Sequence, residues 1–176
     1  MKRLATIATL LVLTVSAFAQ GSKLPVTLDI AEAETNGVRI EVFNMPSDGV
    51  NNYFLNVGTL GIGDDFVQIN IDPVSKLYIL LGNNLDDALA VLNEIKGLFD
   101  CEPDTSIELT GSLSITFPKD DNIEPVRVTY RKLLLSKMIE FSLNRESLIR
   151  ATHIPKSDFN SIVTGVKFYR KLHPRE

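Results

Sequence analysis

Residues 76–99 read KLYILLGNNLDDALAVLNEIKGLF, and two hydrophobic periods meet within them. Lys76 to Leu81 is a short, almost continuously apolar run, the pattern of a strand covered on both faces and therefore central in its sheet. From Leu85 the spacing changes: Leu85, Ala88, Val91, Leu92, Ile95, Leu98 and Phe99 recur at intervals that put them on one face of a helix. Asn84 is the expected N-cap, and Asp86 and Asp87 place negative charge against the positive end of the helix dipole. Gly97 weakens the last turn.

Toward the N-terminus, Leu24, Val26, Leu28 and Ile30 alternate with Pro25, Thr27 and Asp29, a half-buried strand that Pro25 marks as an edge. Thr35-Asn36-Gly37 is a turn, Val38 to Val42 alternates again, and Met45 to Asn52 is rich in turn residues. Tyr53 to Leu60 and Phe66 to Ile71 read as two strands joined by a hairpin loop, Gly61-Ile62-Gly63-Asp64-Asp65.

Toward the C-terminus, Ile107 to Phe117 is a long alternating strand stopped by Pro118, and Lys119 to Pro125 is a charged loop. Val126 to Arg131 and Leu148 to Ile154 read as strands. Residues 132–146 fit strand or helix equally, because three leucines stand in a row among good helix formers. The last element is a helix with Ser157 as N-cap, Phe159, Ile162, Val163, Val166 and Tyr169 on one face, and Arg170 and Lys171 at its end.

A shift of 71 or 72 residues lays Phe66–Ile71 on Met138–Leu143, and Val91, Leu92 and Ile95 on Ile162, Val163 and Val166. Internal duplication and the chance alignment of amphipathic elements both account for this echo, which favours strand for Met138–Leu143. The expected fold is α+β: an antiparallel sheet from two strand-rich halves, 24–100 and 105–173, each followed by one amphipathic helix.

Ahead of this domain, Lys2 and Arg3 precede an apolar run from Leu4 to Val15, and Ser16-Ala17-Phe18-Ala19 offers small residues at −3 and −1 before Gln20. Residues 1–19 therefore read as a signal peptide cleaved near Ala19-Gln20, leaving 20–176 as a single exported domain. The run is too short to span a bilayer, and no second stretch approaches that length. The expected location is periplasmic, cell-surface or secreted, in a bacterial setting.

Charge is divided unevenly. Residues 20–125 carry 18 acidic and 5 basic side chains, whereas 126–176 carry 4 acidic and 11 basic ones. A basic end suggests an anionic partner, such as a phosphate group, an acidic glycan or a lipid head-group, and Arg127, Arg131, Arg150 and Lys167 are the residues that would hold it. Internal neutralisation, for instance cross-strand pairing of Glu140 with Arg127 or Arg131, is the competing account. An overall net charge of −4 argues against a nucleic-acid partner.

Motifs for chemistry are missing from the sequence. Cys101, the single cysteine, has no disulfide partner within the chain, stands between Asp100 and Glu102, and reads as a buried or semi-buried bystander. His153 and His173 have no ligand partner at metal-site spacing, so no metal or cofactor is expected. There is no G-x-S-x-G, and Gly61-x-Gly63 lacks the remainder of a phosphate loop. The function expected is a non-enzymatic binding or envelope-associated domain. The alternatives are a small extracytoplasmic hydrolase centred on His153 and a module that self-associates through the edge strand Leu24–Ile30.

Overall fold

The computed structural model describes residues 26–27, 38–44, 50–59, 61–64, 67–70, 76–115, 118, 122–143 and 150–174. The signal-peptide reading, most of Leu24–Ile30, and the turns at 35–37 and 45–49 lie outside them.

The fold is mixed α+β, with helices on one face of an antiparallel sheet. Seven strands make the body of the sheet: β2 (Arg39–Asn44), β3 (Asn51–Thr59), β6 (Lys76–Gly82), β7 (Ser106–Ser114), β8 (Ile123–Leu133), β9 (Ser136–Leu143) and β10 (Arg150–Pro155). Three shorter strands extend it to ten: β1 (Val26–Thr27) pairs with β2 at one edge, and a hairpin of β4 (Gly61–Asp64) and β5 (Val67–Asn70) pairs with β10 at the other. The helices are α1 (Leu85–Gly97), continued by a 3-10 turn over Leu98–Asp100, and α2 (Lys156–Leu172).

Only Leu60 separates β3 from β4, yet β3 pairs with β2 and β6 while β4 pairs with β10. A single run of chain therefore touches both ends of the seven-stranded body, so the sheet curls around the helices. The bend falls where the β3–β6 register slips between Asn56 and Thr59, at Gly58, whose φ of +86° is open to glycine. Asn56 Oδ1 accepts from Gly58 N at 3.0 Å and holds the bulge, and Thr152 Oγ1 of β10 donates to Val57 O at 3.5 Å across the closure.

The core lies between the sheet and the helices. Leu85, Ala88, Leu92 and Ile95 of α1 and Phe159, Ile162, Val163 and Val166 of α2 meet Ile40, Leu55, Leu77, Ile79, Val126, Val128, Tyr130, Ile139, Phe141 and Ile154 of the sheet. Strand β6 lies between β3 and β7, as its apolar run implies: Leu77, Ile79 and Leu81 face the helices, while Tyr78 packs edge-to-face on Phe43 and Phe54 on the other side. Asn84 caps α1, its Oδ1 accepting from Asp87 N at 2.9 Å.

Two readings are corrected and one open choice is settled. Gly61–Asp64 is a strand and not a hairpin loop, because two glycines carry no side chains through which alternation could show. The N-cap position of α2 is Pro155, with no side-chain cap, and Ser157 sits inside the first turn donating to Asp158 Oδ1 at 2.9 Å. Residues 132–143 resolve as the end of β8, a two-residue turn at Leu134–Leu135, and β9. The duplication gains no support from the pairing. β5, the counterpart of β9 under the shift, lies at the sheet edge, whereas β9 lies between β8 and β10.

Candidate functional site

Strand alternation gives β8, β9 and β10 a shared outer face, opposite the helices. Val126, Val128 and Tyr130 point into the core, so Arg127, Thr129 and Arg131 point away from it. Thr129, Glu140 and His153 stand side by side across the three strands. Glu140 is the hub: its Oε1 accepts from Arg131 Nη2 at 2.9 Å and Nε at 3.3 Å, and its Oε2 lies 3.1 Å from His153 Nε2. Arg131 Nη1 also reaches Asp104, which adopts a left-handed φ of +67° in the turn before β7. Hydrogen bonds from His153 and then from Arg131 hold the Glu140 carboxyl below the usual carboxylate range, against the opposing effect of burial.

Among the predicted anion-binding residues, Arg127 and Arg131 share this outer face, Arg127 exposed and Arg131 committed to Glu140 and Asp104. Arg150 pairs with Leu143 through its backbone, and its side chain is outside the described set. Lys167 is exposed on α2, on the opposite side of the sheet from Arg127. The structure thus brings two of the four together. Elsewhere in the basic segment, Arg170 grips Asp86 with two 2.8 Å bonds, tying the end of α2 to the start of α1.

A second polar cluster lies on the outer face at the β2–β3–β6 end. Glu41 Oε1 accepts from Arg39 Nε and from Asn56 Nδ2, the latter at 3.0 Å, and both Glu41 and Asn56 are buried. Burial, with the nearby Glu41 charge, pushes the Tyr78 hydroxyl up to about 12. Sequence reasoning missed this cluster, since the alternation of Val38–Val42 shows which residues share a face but not that both faces are covered.

It also missed the β8–β9 hairpin tip. The flanking strands stop early: β7 and its preceding turn reach only Tyr130, and β10 ends opposite Met138. Pairing within the hairpin continues through Arg131↔Met138, Lys132↔Lys137 and Leu133↔Ser136. At about 3.3 Å per residue, the three β8 residues past Tyr130 carry the ribbon about 10 Å beyond β7, and the two past Arg131 carry it about 7 Å beyond β10. At its end Leu134 and Leu135 are wholly exposed, at 103% and 102%. A run of three leucines was the only signal for it.

Other expectations concern chemistry. Cys101 is exposed, which corrects the buried or semi-buried reading, and its Sγ lies 3.6 Å from Gly97 O. Among the described residues no cluster of His, Cys, Asp and Glu could hold a metal ion, and no helix is long and apolar enough to cross a membrane. The arrangement defines an α+β domain with an ion-paired sheet face and a projecting apolar-tipped hairpin. Compared with protein-family models, with curated proteins and with solved structures, the chain has no match.

Proposed function

We propose that the protein is an exported, non-enzymatic domain that works by association with the cell envelope. The observation that carries this reading is where large apolar side chains stay uncovered. Leu134 and Leu135 crown the hairpin, and Phe168 and Leu172 lie one turn apart on the exposed face of α2, beside Lys167 and Lys171. Uncovered apolar groups bordered by charge are the usual mark of an interaction surface. Residues 1–19 supply the export signal in this reading.

The group most suited to catalysis is otherwise engaged. His153 gives its Nε2 to Glu140, and no described hydroxyl or thiol hydrogen-bonds the ring. Arg131 pairs with the same carboxylate, so both oxygens of Glu140 are engaged across the strands.

Expression in a bacterial host followed by cell fractionation and intact-mass measurement tests the proposal. The expected result is a chain beginning at Gln20, found outside the cytoplasm and sedimenting with isolated envelopes. A chain that keeps Met1 and stays in the cytosol, or that remains wholly in the supernatant when mixed with envelopes, contradicts it.

A further inference from the structure

We propose that the β8–β9 hairpin is a lipid anchor: Leu134 and Leu135 enter the apolar boundary of a bilayer, and Lys132 and Lys137 bind the phosphates of anionic lipids around them. The proposal rests on the envelope-association reading and names its partner and its contact residues.

Three features of the tip support it. The turn lacks Gly, Asn, Asp and Pro, the residues that tight turns favour, and neither leucine takes a positive φ. Local turn chemistry therefore gives no reason for two leucines there, and sites that break local rules without structural gain are where function is expected. Next, Lys132 and Lys137 are direct cross-strand neighbours, a like-charge pairing that works against the hairpin unless an anion lies beside it. Both are exposed, and among the described residues neither has an acidic partner. Asp104, beside the base of the ribbon, is held by Arg131.

Size then chooses between occupants. A stable protein partner needs about 800 Å² on each side, far more than two leucine side chains at the end of a ribbon provide. A bilayer needs only depth. A ribbon projecting about 7–10 Å can place its tip in the 5–10 Å boundary region while the domain stays in water. The acidic first half of the chain opposes an anionic surface at long range, but charges more than about 10 Å away are largely screened at 0.1 M salt.

The test is co-sedimentation of the exported protein with phosphatidylcholine vesicles, with and without phosphatidylglycerol, after mass measurement of its N-terminus in the same preparation. Wild type should bind the phosphatidylglycerol vesicles. The double variant Leu134→Ser, Leu135→Ser should lose at least about tenfold in partitioning. The double variant Lys132→Glu, Lys137→Glu should lose at least about tenfold on the anionic vesicles and little on the neutral ones. Arg127→Glu, on the sheet face away from the tip, should stay within about twofold on the same scale. Circular dichroism shows that each variant is folded, and the tip substitutions lie at exposed positions. Unchanged binding by both double variants overturns the hairpin assignment while leaving envelope association standing. Sedimentation with envelopes but with neither vesicle type overturns the lipid partner in favour of a protein one. Release by inorganic phosphate at constant ionic strength overturns it in favour of free phosphate.

Discussion

Replacing Gly111 with alanine probes the packing that lets β6, β7 and β8 lie together under the helices. A Cβ at this position falls 2.5 Å from Val126 Cγ2 and 2.8 Å from the backbone oxygen of Tyr78. Gly111 has no positive φ, so alanine suits its backbone and any penalty is steric. Val126 is fully buried, and the Tyr78 oxygen belongs to a strand paired on both sides, so neither yields easily. Overpacking of this kind costs about 1–3 kcal/mol, and removing a strand glycine returns about 0.5–1 kcal/mol. The net expectation is a loss of about 0.5–2 kcal/mol, or about 1–8 °C in Tm for a chain of this size. With no tryptophan and four tyrosines, urea unfolding is best followed by tyrosine fluorescence together with far-ultraviolet circular dichroism. Val126→Ala alone should also destabilise, but in the double variant the new methyl group fills the space left by Val126. The two should couple favourably by about 1 kcal/mol. A Gly111→Ala protein as stable as wild type, or strict additivity with Val126→Ala, refutes the close approach.

The remaining predictions concern charge and capping. Glu140→Gln should cost about 1–2 kcal/mol at neutral pH, the value of a partly exposed charged hydrogen-bond pair. The Glu140 carboxyl titrates below its ordinary value, so its contribution is present above about pH 4.5 and fades as the pH falls further; urea midpoints of wild type and variant should converge in acid. Tyr78 should ionise late, near pH 12. Its burial stabilises the fold fully below pH 10 and is lost between pH 10 and 12, so absorbance titration of wild type and Tyr78→Phe should differ by that late step. Asn84→Ala removes the side-chain bond to Asp87 N and should lower stability by about 1 kcal/mol, seen as a fall in Tm of about 2–4 °C.

What the sequence discloses depends on whether the cause is local. Strand β6 and helix α1 are legible because their side chains carry the two periods, and because the Asn84 cap is a contact between residues three apart. Pairing of Arg131 with Glu140 is legible as one of two cross-strand pairings that the charges allow; Glu140 stands opposite Thr129, and Arg131 is its diagonal neighbour. Strand β4 is not, because Gly61 and Gly63 erase the alternation and its partner, β10, lies almost ninety residues on. Charge counts do not hold topology, and so they could not place Arg127 and Lys167 on opposite sides of the sheet. The Arg39–Glu41–Asn56 cluster, with its buried Glu41 and Asn56, has the same cause, for its strand alternates as an ordinary half-exposed one does. The hairpin tip was hidden because leucines are poor turn residues, and that mismatch is the reason the tip is of interest.

The most direct test of the account places an environment-sensitive dye at the tip, through Leu135→Cys in a Cys101→Ser background, since Cys101 is the chain's single and exposed cysteine. A second protein carries the same dye at Ser161, exposed on α2. On mixing with phosphatidylglycerol vesicles, the dye at 135 should shift to the blue and become accessible to quenchers held within the bilayer, while the dye at 161 stays in a watery environment. An unchanged spectrum at 135 on vesicles that demonstrably carry the protein contradicts the assignment of the hairpin as the part that enters the membrane.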